Sequence, residues 1–474
     1  MNMSFFQELL GSIAERGRAL IERSPNRRTA GGRTAAVPGT PVTAAEAPET
    51  LESLCRDLLS GRGEASGVAL ARQVLDLYAG APVPARLEFF RLLARDFGPD
   101  PGRLRAAWAA YDDDPADPAN LRALLRDVEP PRQELFRRLN LAPGGTAALV
   151  HIREDLLKHG GDGPSLASVD DDLAHLRSSW FNRGFLVLRR IDWSTPADIL
   201  ERIIRYEAVH AIQDWDDLRR RVQPPDRRCF AFFHPSLVDE PLIFVEVALT
   251  REIPGSIQAL LAEDREVLPT EQATTAVFYS ISNCQPGLKG VSFGNFLIKQ
   301  VVEELSREVP SLATFVTLSP APGFGRWLDR VAADPAAAGL EDSGIDTAAL
   351  KELRAPGWHR DPTAAERLRP LLLGLATHYY LRAKGSGGRP LDPVARFHLG
   401  NGARLERLNW LGDTSEKGLR EAAGLMVNYL YDLRFIEANH EAFANHGTVV
   451  ASDDVKRHLP VPTAAKHATE TAHV

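Results

Sequence analysis

Cysteine is scarce in this chain: three among 474 residues, Cys55, Cys229 and Cys284. Their spacing offers neither a disulfide framework nor a zinc pattern, which fits a reducing compartment. Long apolar runs are lacking too. None approaches the roughly 20 residues that a bilayer-spanning helix needs, so no membrane partner is expected. Neither sign of charge dominates: 56 basic and 63 acidic residues leave a net −7. That balance argues against a general nucleic-acid binder and still permits a local cationic pocket. His151, His159 and His175 place no metal-binding pair on one helix face, and no metal site is expected. What is present, 44% hydrophobic and 25% charged residues, suits a globular protein with room for two or three domains.

Residues 2–23 read as an amphipathic helix. Glu8, Glu15 and Glu22 run against the acid-poor composition of a targeting peptide, so a surface or packing helix is the better reading. Ser24 to Thr50, rich in Ala, Thr, Pro and Gly, reads as a linker, making 1–50 one segment. From Leu51 to about His210, apolar residues recur at three- and four-residue spacings between breaks such as Gly98-Pro99-Asp100-Pro101 and Pro130-Pro131. Short helices with short connections predict a helical bundle over 51–212.

Past Asp214 the texture changes. CFAFF (Cys229 to Phe233) and LIFVEVAL (Leu242 to Leu249) read as a pair of antiparallel strands. Later segments alternate strand and helix, which predicts an α+β fold: an all-helical part followed by an α/β domain over 213–450. LRPLLLGLATHYYLRA (Leu368 to Ala383) is a strongly apolar helix with His378 as a core histidine. SEKGLREAAGLMVNYLYDL reads as a closing helix that carries Tyr431, and 451–474 as a frayed tail.

The most informative stretch runs from Phe278 to Phe324. TTAVFYSIS (Thr274 to Ser282) has strand composition, and the turn-forming NCQPGLKG and then GVSFGN follow it. The next helix puts Leu297, Val301 and Leu305 on one face, Pro310 ends it, and ATFVTL (Ala313 to Leu318) is a second strand. Together these make a βαβ unit. Gly290 and Gly294 permit close backbone approach, the helix N-terminus offers unpaired amides, and Lys289 adds a charge. The loop is thus suited to a phosphate, although its glycines could serve turn geometry alone. It is neither a GK[ST] loop nor a GxGxxG.

FYSIS, GLKGVSFGNFLIKQVVEEL, TLSPAPGF, LDPVARFHLGNGA and LNWLGD resemble the malonyl-CoA decarboxylase family. SWFNRGFLVLRRIDW, EAVH, RRCFAFFHP and EPLIFVEVALT extend the resemblance over roughly residues 145 to 435. It implies a helical N-terminal domain and a C-terminal catalytic domain of the GNAT acetyltransferase fold. In that fold a loop like Lys289, Gly290, Val291, Ser292, Phe293, Gly294 and Asn295 holds the coenzyme A diphosphate. The substrate would be malonyl-CoA and the products acetyl-CoA and CO2. Coenzyme A is then part of the substrate, and no separate cofactor is implied.

Matching LSPxPGF and FHLxNG carries the family's catalytic serine and histidine onto Ser319, as proton acceptor or polariser, and His398, as proton donor. Without the resemblance, Ser319-Pro320 reads as a turn and His398 as structural. An imidazole with its ordinary pKa near about 6.5 would suit proton delivery at neutral pH. Ser280, Asn401 and Tyr431 are candidates for supporting roles. Cys284, Pro286 and Ser292-Phe293 depart from the family's pattern without removing the glycines, the serine or the histidine. Two other readings use the same fold: an acyltransferase to an amine acceptor, and a non-catalytic acyl-CoA sensor. A helical domain beside a catalytic one often serves assembly, so a homo-oligomer, dimer or tetramer, is expected. The ending Ala472-His473-Val474 is not the peroxisomal Ser-Lys-Leu, and a cytoplasmic location is expected.

Overall fold

The computed structural model describes residues 50–60, 63–161, 163–181, 183–290, 297–336, 340, 347–353 and 355–459. The expected helix at 2–23, nearly all of the linker after it, and residues 291–295 of the phosphate loop lie outside them. The chain divides into two compact units.

The first unit is built on helices α1 (Leu51–Leu59), α2 (Glu64–Gly80), α3 (Val83–Asp96), α4 (Pro101–Asp113), α5 (Pro118–Val128), α6 (Pro131–Asn140), α7 (Gly145–His159) and α8 (Pro164–Trp180). Proline explains many of the starts. Pro101, Pro118, Pro131 and Pro164 each open a helix, where the missing N–H costs nothing and the fixed φ already suits the helix. Asp100 and Asp117 cap α4 and α5 by accepting backbone N–H bonds. Phe89, Phe90, Phe136, Leu139, Leu149 and Leu173 meet in the core. His234–Glu240 and Gln285–Phe293, the latter described as far as Gly290, cluster with this unit.

The second unit holds a mixed sheet. It comprises β1 (Val187–Ile191), α9 (Ala197–Tyr206), α10 (Trp215–Val222), β2 (Arg227–Phe233), β3 (Pro241–Thr250), α11 (Ile257–Leu261), β4 (Thr275–Asn283), α12 (Leu297–Glu308), β5 (Thr314–Thr317), β6 (Ser319–Pro320), α13 (Phe324–Ala333), α14 (Thr347–Glu352), α15 (Pro362–Leu381), α16 (Pro393–Gly400), β7 (Arg404–Asn409), α17 (Glu416–Ala422), β8 (Met426–Leu430), α18 (Ile436–His446) and α19 (Asp453–Lys456). The strand order is β1-β2-β3-β4-β5-β8-β6, with β7 against β8. β1 to β4 are antiparallel, and β4 pairs β5 in parallel through the α12 crossover. The expected succession holds: helices first, then a mixed α/β domain with the βαβ unit at its centre.

Three local expectations fail. The run read as helical to His210 contains β1. Its Leu-Arg-Arg sequence has no strand bias, and pairing with β2 overrides local propensity. The closing helix is instead α17 followed by β8. Ala423 and Gly424 turn the chain at φ 49° and 79°, and Met426 to Tyr429 are buried as a strand, so Tyr431 follows a strand. The tail is ordered at least as far as Leu459: Ala451 bridges to Leu405, Ser452 caps α19, and Val455 is fully buried.

Gly402 turns the end of α16 into β7. Its φ is 82°, and an added Cβ would lie 2.1 Å from the Ile436 carbonyl oxygen. Gly402→Ala should therefore lower stability by about 2–3 kcal/mol, read as a shift in the urea midpoint.

Candidate active site

β4 and β5 stay paired only from Thr275↔Thr314 to Phe278↔Thr317. One more bond, Leu318 N–H to the Phe278 carbonyl at 2.9 Å, closes the ladder. Then the strands part. β4 continues to Asn283 against β3, while Ser319 pairs with Val427 of β8. A cavity of about 250 Å³ opens beside the parting. Its walls include Val245, Phe278, Ile281, Val394 and Phe397, and Ser319 and His398 face it. No Asp, Glu, Lys or Arg is among its described lining residues.

Ser319 Oγ and His398 Nε2 are 3.1 Å apart. The serine is two residues beyond Thr317, so strand alternation puts both hydroxyls on one side, and Ser319 donates to Thr317 Oγ1 at 2.8 Å. Thr317 Oγ1 also accepts the Tyr429 amide at 3.1 Å. On its other side, His398 Nδ1 meets Tyr431 Oη at 2.7 Å. The helix that carries the histidine is fixed at both ends. Asp392 accepts from Ala395 N–H at 2.9 Å, and the His398 carbonyl accepts from Asn401 and Ala403. The imidazole stacks on Tyr429 with ring centroids 4.6 Å apart.

Burial drives the protonation states. It pulls the His398 imidazole down to about 3, with no counter-charge among the described residues to oppose it, and holds the Tyr431 phenol protonated. The histidine is thus neutral, which corrects the expectation of an ordinary pKa for it. A neutral imidazole donates at one nitrogen and accepts at the other, so the row from Tyr431 through His398 to Ser319 is a continuous hydrogen-bonded relay.

The remaining candidates separate. Tyr431 joins the relay. Ser280 does not: its hydroxyl donates to Glu207 at 2.7 Å, and it is not part of the cavity wall. The Asn401 side chain donates to the Phe397 carbonyl at 2.7 Å and leaves the His398 ring alone. Phe397 is 39% exposed and lines the cavity. Lys289 and Gly290 end a turn, with Gly290 at φ 82°. Thr317 went unrecognised in the sequence, although its spacing of two from Ser319 on a strand was the available signal. Among the described residues no cluster of three His, Cys, Asp or Glu side chains is arranged to hold a metal ion, and no helix is long and apolar enough to cross a membrane.

An uncharged cleft with a hydroxyl–imidazole pair at the mouth of a splayed parallel ladder defines an enzyme for acyl-group chemistry. Comparison with known proteins narrows this class. The family model for the malonyl-CoA decarboxylase C-terminal domain matches residues 184–469, and that for the N-terminal domain matches 97–181. The mitochondrial malonyl-CoA decarboxylase of Anser anser anser is 36% identical over 95% of this chain and 90% of its own length. The malonyl-CoA decarboxylase of Rhodopseudomonas palustris superposes with a TM-score of 0.82 at 59% identity, covering 86% of this chain and 98% of that one. That of Agrobacterium vitis also gives 0.82, at 55% identity over 87% and 100%. The chain belongs to the malonyl-CoA decarboxylase family and is a carboxy-lyase.

The buried neutral histidine leaves a signature in stability. Unfolded, its pKa returns to about 6.5, so below that pH the unfolded chain takes up a proton that the folded chain refuses until about 3. Stability from this group is complete above pH ~6.5 and is lost as pH falls. Between pH 8 and pH 5 the loss should be about 2 kcal/mol. His398→Gln should lack that component, as measured by paired urea titrations.

Proposed function

We propose that the chain converts malonyl-CoA to acetyl-CoA and CO2 through a thioester enolate, with Ser319 as acceptor or polariser, here the polariser, and His398 as proton donor. The 3.1 Å contact between these two side chains at an uncharged cavity is the observation that carries the reading. Cleaving the carbon–carbon bond leaves its electron pair on the α-carbon, delocalised onto the thioester oxygen, while the carboxylate departs as CO2. Apolar walls disfavour the compact charge of the carboxylate relative to the spread charge of the transition state. Ser319, which accepts the His398 Nε2 proton at rest, turns its own hydroxyl from Thr317 to the developing enolate oxygen. His398 then passes its Nε2 proton to the α-carbon while Nδ1 draws the phenolic proton of Tyr431, and solvent reprotonates the phenolate. Lys289 and Gly290, with Val291, Ser292, Phe293, Gly294 and Asn295, take the coenzyme A diphosphate, a role supported by the positive φ at Gly290.

The enzyme is proposed to act as a homo-oligomer, dimer or tetramer. The described side chains of α5 include none that is buried, and Trp108, Leu121 and Leu125 on α4 and α5 are exposed. A monomer by light scattering at micromolar concentration would overturn this. A cytoplasmic location is supported by three free thiols, all buried.

Purified protein mixed with malonyl-CoA alone should give stoichiometric acetyl-CoA and CO2. Ser319→Ala should lower kcat about 100-fold and His398→Ala about 100-fold or more. Equal activity in either folded variant would sink the assignment. Tyr431→Phe, which keeps the ring and removes the proton source, should lower kcat about tenfold with KM within about twofold.

A further inference from the structure

From Gln285 to Gly290 the connection between β4 and α12 clusters with the helical unit, and one side chain of that unit holds it. Pro286–Leu288 form a single 3₁₀ turn, closed by Leu288 N–H to the Gln285 carbonyl and Lys289 N–H to the Pro286 carbonyl at 2.9 and 3.0 Å. Such a turn leaves the carbonyls of Gly287 and Lys289 without partners in its own backbone. Both are taken by one atom, Arg153 Nη1 of α7, at 3.0 and 2.7 Å. The other two guanidinium nitrogens grip Asp170 of α8: Nε to Oδ1 at 2.6 Å and Nη2 to Oδ2 at 3.2 Å.

Arg153 is itself 4% exposed. A guanidinium at such a depth needs its carboxylate and its acceptors together, since the loss of either leaves polar groups buried and unpaired. The approach is close as well as charged. A Cβ on Gly287 would fall 2.0 Å from the Val150 carbonyl oxygen, so the turn lies directly on the backbone of α7. No residue other than glycine fits there without moving the turn.

We propose that Arg153, held by Asp170, is a positioning residue for the coenzyme A portion of the substrate. It sets the height and angle at which Lys289 and Gly290 leave the 3₁₀ turn. This rests on the reading of the loop that begins at Lys289 as the diphosphate site. Arg153 does not touch substrate. It acts by fixing the carbonyls of Gly287 and Lys289, and hence the peptide between Lys289 and Gly290, before the substrate arrives. The planar fork is what allows one side chain to hold Asp170 with two nitrogens and the turn with the third. A lysine could keep the ion pair but not this three-cornered geometry.

Two substrates separate positioning from general structural support: malonyl-CoA, and malonyl-pantetheine, which has the same acyl thioester but no diphosphate. Arg153→Met in the full chain should raise KM for malonyl-CoA about tenfold, with kcat changed less than about threefold. Its kcat/KM for malonyl-pantetheine should stay within about twofold of the wild type. Asp170→Asn should move the same way, and Arg153→Lys should recover part of the loss. KM and the ratio of the two specificity constants do not depend on the fraction of molecules that fold, so a partly unfolded variant still gives an answer. Equal loss on both substrates, or a fall in kcat at unchanged KM, would overturn the proposal. Lys289→Ala, run in parallel, tests the reading beneath it. If it impairs malonyl-CoA more than malonyl-pantetheine while Arg153→Met behaves as wild type, the diphosphate loop stands and the Arg153 role is overturned. If Lys289→Ala impairs the two substrates equally, the loop reading fails and the Arg153 proposal fails with it.

Discussion

A buried imidazole, His398, without a counter-charge among the described residues, governs the cavity side of the sheet. Desolvation keeps His398 neutral, and the polar groups that meet its ring nitrogens among the described residues are neutral too: the Ser319 hydroxyl and the Tyr431 phenol. The stacked Tyr429 adds apolar area and no charge. A carboxylate in contact with Nδ1 would pull the ring toward the imidazolium. Tyrosine at that position orients the ring and can supply a proton without doing so. The parting of β4 from β5 is the structural counterpart. Ending the ladder at Leu318 opens the space and brings Ser319 to its rim.

The opposite face of the same strands is organised differently. β3 and β4 alternate, so Val245 and Ile281 face the cavity while Glu246, Ser280 and Ser282 face away from it. There Glu207 accepts the Ser280 hydroxyl at 2.7 Å and the amides of Val209 and His210 at 2.8 and 2.7 Å. Glu246, raised to about 8 by burial and by the neighbouring Glu207, meets Arg221 at 3.3 Å. At this level of β3 and β4 the charged groups lie on the side away from the cavity, and Ser319 and His398 face the cavity on the other. Glu207 also links the layers: it ties down the turn holding Val209, which is part of the cavity wall.

Much of this was legible in the sequence where local pattern and tertiary structure agree. The βαβ unit was readable because β-branched strands, a glycine turn and a 3.6-period helix occur in immediate succession. Pro101 and Pro131 mark helix starts for a reason intrinsic to proline. Ser319 and His398, by contrast, were found through resemblance alone, since a Ser-Pro turn and a histidine before a glycine say nothing about meeting across 79 positions. The failures share a cause. β1 and β8 are defined by hydrogen bonds to strands distant in sequence, and β8 follows a helix through two left-handed residues that periodicity does not register. The lowered pKa of His398 was out of reach because it depends on what surrounds the ring in space. So was the hold of Arg153 on the turn, whose two carbonyls lie 134 and 136 residues away.

On the proposed enolate mechanism, a neutral Ser319–His398 pair is the more effective choice. An imidazolium beside the malonyl carboxylate would form an ion pair in a low-dielectric cleft, and that attraction is greatest in the ground state, where the charge is compact. As the carbon–carbon bond breaks, the charge migrates to the thioester oxygen and the attraction weakens, so the ion pair would raise the barrier while tightening binding. Only interactions stronger in the transition state than before it accelerate the step. A hydrogen bond from a neutral hydroxyl is weak toward a thioester carbonyl and strong toward an enolate oxygen. Its worth therefore grows along the reaction coordinate. The binding energy that a cation at the acyl end would have supplied has to come from the far end of the substrate, where coenzyme A offers phosphates that do not change during the reaction. Fixing the turn at Lys289 and keeping charge away from His398 are, on this view, two halves of one solution.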